Sequence, residues 1–150
     1  MIGLLQRVSH AEVRVGGESI GGIGAGLLVM VGVERGDTNA SGERLLERLL
    51  GYRVFADDAG LMNRSLSQTG GGMLLVPQFT LVADTRKGTR PGFSAAADAD
   101  AAASAFRALV DTAGQRHPDV AAGRFGADMQ VSLCNDGPVT FWLSAPPHSK

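Results

Sequence analysis

Apolar and polar positions are patterned from the first residues onward. Ile2–Val8 is a short apolar run, and Ala11, Val13 and Val15 alternate with Glu12 and Arg14, the period of a half-buried strand. Gly16-Gly17 marks a turn at the end of that strand, as in a hairpin. Leu27–Val33, a run of mostly branched apolar residues, predicts a central strand buried on both faces. Asp37–Ser41 then offers N-cap residues, after which Leu45, Leu46, Leu49 and Leu50 recur at helical spacing, with Glu43, Arg44, Glu47 and Arg48 on the other face. Gly51 stops that helix. Tyr52–Phe55 reads as a strand, Asp57-Asp58-Ala59-Gly60 as a turn, and Met73–Val76 as a strand resuming through Phe79–Val82.

Asp84–Gly92 is a polar loop carrying Arg86, Lys87 and Arg90. The alanine-rich stretch from about Asp98 to Ala113 predicts a second helix, with Phe106, Leu109 and Val110 toward the core. Phe125, Met129, Val131 and Leu133 form an odd-numbered apolar face, and Val139–Leu143 gives a last strand. Residues 145–150, with two prolines, read as a loose tail. No repeat and no linker-like stretch divides the chain, and 150 residues suit one domain. Strands outnumber helices without strict alternation, which predicts an α+β fold over a doubly wound parallel one.

Composition narrows the function classes. Fourteen basic against fifteen acidic residues leave a net charge of −1, so a long grip on nucleic-acid phosphates, which needs a basic excess, is not expected. A single cysteine, Cys134, rules out an intramolecular disulfide and Cys-based zinc sites; within the apolar stretch Met129–Cys134 it reads as a buried, inert thiol. No run reaches the roughly 18 apolar residues of a membrane helix, and the amino terminus lacks a basic leader, so a cytoplasmic location is the expectation.

Most conspicuous motifs dissolve on inspection. Gly21-Gly22-Ile23-Gly24-Ala25-Gly26 fits no phosphate-loop register and precedes a strand where such a loop would come after one, so it reads as a turn; Gly70–Gly72 reads the same way. His10, His117 and His148 are far apart and read as surface or capping residues, with no metal site and no cofactor implied. Two segments remain as candidate sites. In Val76-Pro77-Gln78-Phe79-Thr80-Leu81, polar residues interrupt a core-like strand; Pro77 implies an edge or strand end, and alternation places Gln78 and Thr80 on one face, Phe79 and Leu81 on the other. Asn135-Asp136-Gly137-Pro138-Val139-Thr140 reads as a turn between two strands, with a proline suited to a cis bond.

From Met1 to Leu143 the sequence resembles the D-aminoacyl-tRNA deacylases, also called D-tyrosyl-tRNA deacylases. The matching stretches are Gln6-Arg7-Val8, Gly24–Val29, Gly51–Phe55, Gln78–Leu81, Ala83-Asp84-Thr85, Arg90-Pro91, Gly123-Arg124-Phe125, Ala127-Asp128-Met129 and Asn135–Thr140. The resemblance implies a single α+β domain over residues 1–150, strand-rich, with a mostly antiparallel, partly barrel-like sheet and two main helices. It implies a homodimer with active sites near the interface. It also implies an esterase that removes D-amino acids, and glycine from mischarged carriers, from the 3′ end of tRNA. Gln78, Phe79 and Thr80 become the catalytic segment. Gly137 and Pro138, joined by a cis peptide that reaches the partner's pocket, become the chirality filter. Arg7, Asn135 and Met129 are supporting residues. The chain departs from the family pattern at Pro77, where serine is usual, and at Gly92, so no serine hydroxyl at position 77 can act.

An aminoacyl ester is already activated, so the chemistry asks for positioning, oxyanion stabilisation and rejection of the L-isomer. Backbone N–H groups around Gln78–Thr80 are the expected oxyanion donors. Thr80 is either a nucleophile or a residue that positions water with help from the tRNA 2′-hydroxyl; the lack of an evident base favours the second. Arg86, Lys87 and Arg90 are candidates for phosphates of the tRNA end, and Phe79 or Phe93 for stacking a purine. The alternative function is a dimeric, non-hydrolytic module that binds an RNA end or a small ligand.

Overall fold

One long strand organises the molecule. In a computed structural model, which describes residues 1–146, β1 runs unbroken from Ile2 to Val15, and β2 (Glu18–Ile23) and β3 (Gly26–Gly32) return along the same edge. The pairs Ile2↔Gly32, Val8↔Gly26 and Val13↔Gly21 lie along that edge, and the β1–β2 hairpin is closed by Gly16-Gly17, both at positive φ. The Gly21–Gly26 segment is therefore not a turn. Gly21 and Gly22 are paired strand residues, and only Gly24-Ala25 bends the strand. The glycine at 26 answers to packing: a Cβ there would lie 1.9 Å from the carbonyl oxygen of Gly72 in β6 (Gly72–Pro77).

The opposite edge of β1 carries β8 (Gln130–Ser144), antiparallel along nearly its whole length. β3 pairs with β6 in parallel, and β6 with β7 (Val120–Ala122), also in parallel. β7 comes round to β2, where a Cβ on Gly21 would touch the Ala122 carbonyl at 3.1 Å, so the sheet is nearly closed into a barrel. The fold is α+β and strand-rich. Its antiparallel pairs predominate, and the two parallel pairs accompany the crossovers that carry helices.

Both faces of β3 are buried, as the branched run predicts. Leu27, Val29 and Val31 face α1 (Asn39–Gly51) and α3 (Ala99–Arg116), packing with Leu45, Leu46, Leu49, Phe106 and Leu109. Leu28 points the other way, into a second core with Val8, Ala11, Val13, Leu74 and Val76. Val8 and Ala11 share that face despite opposite parity because β1 skips a pairing position between Val8 and His10, a bulge at Ser9. Asp98 caps α3 through the Ala101 N–H at 2.9 Å.

Several expectations need correction. Tyr52–Phe55 is not a strand: only Phe55–Ala56 (β4) is extended in a ladder, pairing with β5 (Met62–Arg64), and a single helical turn, α2 (Leu66–Thr69), comes next. Asp57 anchors the β4–β5 turn, accepting from the N–H groups of Ala59 and Leu61 and from Asn63 Nδ2. Cys134 is exposed rather than buried, because β8 turns its odd-numbered positions inward and its even ones to solvent. Of the two roles expected for His117, surface or capping, the second holds: its backbone N–H caps α3 on the Ala113 carbonyl, while its buried ring places Nε2 2.6 Å from the Gly71 carbonyl. His10 is exposed, as expected. Ala145, expected in a loose tail, is buried and bonded both ways to Met1, whose α-ammonium also meets Asp37 at 2.6 Å. The rest of that expectation, residues 147–150 with His148, lies outside the described residues.

Candidate active site

The catalytic segment begins where β6 ends. Pro77 is the last strand residue, opposite Val31, and Gln78 keeps one more bond by donating its N–H to the Val31 carbonyl at 2.8 Å. The chain then coils into a 3-10 turn over Phe79–Val82 instead of resuming as a strand. The reason is visible in the pairing: β3 stops at Gly32, so nothing remains for an extension of β6 to pair with. Strand alternation across Gln78–Leu81 is therefore replaced by a tight coil. It leaves Phe79 and Thr80 exposed and draws the Gln78 amide onto the Thr80 hydroxyl, Nε2 donating to Oγ1. With the Gln78 N–H already used, the groups left free to face an oxyanion are the N–H groups of Phe79 and Thr80, at the open start of the turn.

An open cleft of about 810 Å³ lies over this turn, and its walls include Pro77, Gln78, Phe79, Phe93, Phe125 and Met129. Phe79 and Phe93 meet with ring centroids 5.2 Å apart, an apolar platform beside polar Gln78. Phe125 and Met129, core-facing by their sequence pattern, reach this cleft, and the Arg124 N–H contacts Met129 Sδ at 3.4 Å. Thr80 stands behind Gln78 and is absent from the cleft wall; among the described residues its one side-chain partner is the Gln78 amide. No group of three or more His, Cys, Asp or Glu side chains among the described residues has metal-binding spacing.

The second motif sits inside β8. Gln6 pairs with Thr140 and Val8 with Asn135, so Asp136, Gly137, Pro138 and Val139 all stand opposite Arg7 and are pushed out of the ladder as a protruding loop. It is a broad bulge within one strand more than a turn between two. The side chain of Asn135 closes it: Val139 N–H donates to Oδ1 at 2.9 Å, and Nδ2 donates to the Val139 carbonyl at 3.1 Å. Arg7 holds the near side, with Nε on the Asp136 carbonyl at 2.9 Å and Nη1 on the Val54 carbonyl at 2.7 Å. The Gly137–Pro138 peptide is cis, and Gly137 has φ 152°, where a Cβ would sit 2.6 Å from Val139 Cγ2. Gly137 and Pro138 are exposed, and neither lines the cleft of their own chain.

The basic loop forms a separate concavity of about 570 Å³, lined by Asp84, Arg86, Lys87, Arg90, Gly92 and Ser94. Asp84 and Gly92 exchange both backbone bonds at its base, 2.7 and 2.9 Å. Arg86 grips Asp84 through Nε at 2.9 Å and Nη2 at 2.7 Å, which holds the Asp84 carboxyl down to about 2 and raises the guanidinium. Of the three basic residues expected to meet phosphate, Arg86 is thus already paired, while Lys87 and Arg90 have no ion-pair partner among the described residues. No sequence signal separates Arg86 from the other two beyond its i+2 spacing from Asp84.

A nearly closed mixed sheet, an aromatic-walled cleft at a strand end and a protruding loop with a cis Gly137–Pro138 peptide define a small α+β domain. Comparison with known proteins makes the class specific. Residues 4–144 match the family described as D-Tyr-tRNA(Tyr) deacylase, and the chain belongs to that family. It is 63% identical over 147 residues to the D-aminoacyl-tRNA deacylase of Thioalkalivibrio sulfidiphilus, covering 98% of this chain and 99% of that one. It is 61% identical to the enzyme of the same name from Herminiimonas arsenicoxydans over the same shares. Among solved structures it is similar to a c-Myc DNA unwinding element binding protein (TM-score 0.92, 36% identity, 97% and 99% of the two chains). It also shares its fold with a probable eukaryotic D-amino acid tRNA deacylase (TM-score 0.73, 19% identity, 95% and 97% of the two chains).

Proposed function

We propose that this protein hydrolyses the ester joining a D-amino acid to the 3′ end of tRNA, releasing free amino acid and tRNA. The observation that carries the reading is the near-full-length family match, with the Gln78-Phe79-Thr80 turn at the mouth of an open cleft. Glycyl-tRNA is a second substrate in this reading, since glycine has no side chain for a chirality filter to reject.

The terminal adenine rests on the Phe79–Phe93 platform and the ester lies over the start of the 3-10 turn. Water adds to the carbonyl carbon, the oxyanion is met by the Phe79 and Thr80 N–H groups, and the C–O bond to the ribose breaks, its oxygen taking the proton lost by the water. Loss of one such donor typically costs about 3–4 kcal/mol. Among the described residues no His, Lys or carboxylate pairs with the Thr80 hydroxyl; its partner there is the Gln78 amide, which supports a positioning role over a nucleophilic one. The tRNA 2′-hydroxyl is then the assisting group.

Chirality is read across a homodimer. Gly137 and Pro138 stand exposed on a loop braced by Arg7 and Asn135, away from their own cleft, as expected of an element that completes a second copy's site. Backbone carbonyls there take the α-ammonium, and the rigid wall fills the space an L side chain would need, whatever that side chain is. Exposed Trp142, opposite Leu4 on β1, gives the same sheet surface an apolar patch for the contact. Lys87 and Arg90 meet phosphates upstream of the terminal nucleotide. The setting is translation quality control in the cytoplasm.

A non-hydrolytic binding module is the competing reading, and the name of the DNA unwinding element binding protein favours it for that relative alone. Release of D-tyrosine from D-Tyr-tRNA, with L-Tyr-tRNA as control, decides between them. Multiple turnover on the D-ester alone is expected; binding without release would establish the module.

A further inference from the structure

We propose that Arg35 binds the phosphate of the terminal nucleotide, fixing how deeply the aminoacylated end enters the cleft. The inference rests on the deacylase reading of the same cleft. Among the described residues, three charged residues line the cleft: Arg35, Asp98 and Asp128. Asp98 is committed to the Ala101 N–H at the start of α3, so the helix terminus is already capped by a negative group and offers nothing to an anion. Two carboxylates on the wall repel a phosphate from their side, which leaves Arg35 as the one cationic group on it among the described residues.

Arg35 is also free to act. It is exposed, and its guanidinium has no ion pair and no hydrogen-bond partner among the described residues, in contrast to Arg7, Arg14 and Arg86. Its backbone is held firmly. The Arg35 N–H donates to the Ala95 carbonyl at 2.8 Å, and Glu34 pairs with Ala96. The Glu34 N–H donates to Asp37 Oδ2 at 2.7 Å, and Gly36 turns the chain at φ 88°. A planar donor fork is thus presented from a fixed stem beside the segment that begins with Phe93, one half of the aromatic platform. An adenine on that platform and a phosphate on Arg35 are the two ends of one nucleotide.

The test uses stable amides in place of the ester: 3′-deoxy-3′-(D-tyrosylamino)adenosine with and without a 5′-phosphate, titrated calorimetrically into the full-length protein. The wild-type protein is expected to bind the phosphorylated form about tenfold more tightly, the effect of one charge-assisted contact. Arg35→Gln is expected to remove that preference while leaving affinity for the unphosphorylated form unchanged, which also reports an intact cleft. Arg35→Lys should restore part of the preference as a point charge, and Arg86→Gln should retain all of it. The inference is overturned by equal wild-type affinities, by a preference that survives Arg35→Gln, by equal weakening of both ligands in that variant, or by no binding of either. Failure of the deacylase reading shows separately, as absence of D-tyrosine release from D-Tyr-tRNA.

Discussion

Gly137 illustrates how one residue type carries a constraint no other side chain meets. At φ 152°, with Val139 Cγ2 and Val139 N at 2.6 and 2.7 Å from a would-be Cβ, the Gly137→Ala variant must move the loop that Arg7 and Asn135 brace. A displacement of that order typically costs about a hundredfold in rate. Single-turnover deacylation of D-Tyr-tRNA should show this loss with a smaller effect on the melting temperature, because Asp136, Gly137 and Pro138 are exposed and only Val139 packs against a core. Asp84 makes a different prediction. Hydrogen bonds from Arg86, with its charge, lower this carboxyl to about 2, so its contribution to stability is fully present above the ordinary carboxylate range and is lost progressively as pH falls from there through about 2. Carbon-detected NMR should find its midpoint there, and Arg86→Gln should return it toward about 3.9. Both carboxyl and guanidinium are exposed, so the pair's role is to hold the loop's shape, with little effect on global stability.

At the scale of elements, α1 is legible in detail: the leucine spacing names four buried residues, and each is at most 6% exposed. Leu49→Ala leaves a void between α1 and the sheet and should cost about 2–5 kcal/mol in urea unfolding without altering substrate preference. Period-2 alternation misplaces the Gln78–Leu81 segment because it presumes a partner strand. Hydrogen-bond supply decides there, and it ends with Gly32 of β3. The same limitation explains the glycines at 21–26. A turn and a close backbone approach both call for glycine, and local sequence does not distinguish them. The pattern around Asn135–Thr140 suggests two strands about a turn; β8 is one strand carrying a bulge, because β1 continues beside both halves.

For the whole molecule, the separation of the two motifs has a consequence. The cleft and the cis-peptide loop do not meet within one chain, so activity under the proposed scheme requires a second copy. Trp142, 52% exposed on β8, is the residue to change. Trp142→Glu is expected to sediment as a monomer at micromolar concentration and to lose deacylation, with its circular dichroism preserved. A fully active monomer would refute the cross-subunit filter. The near-neutral charge fits a short grip: Lys87, Arg90 and Arg35 are few cations, enough for a tRNA terminus and too few for a duplex track.

Sequence by itself determined the class of fold, the two helices, the doubly buried strand β3, the two motifs and, through their order along the chain, the family. These are local or additive properties: periodicity, capping, and identity at many independent positions. Tertiary structure decided which strands pair in parallel, where β6 stops and Thr80 turns behind Gln78, that Arg86 is spent on Asp84, and that Arg35 joins the cleft wall. Each of those depends on residues distant in the chain arriving at one place, where hydrogen-bond supply and charge pairing are settled by neighbours that spacing along the sequence does not name.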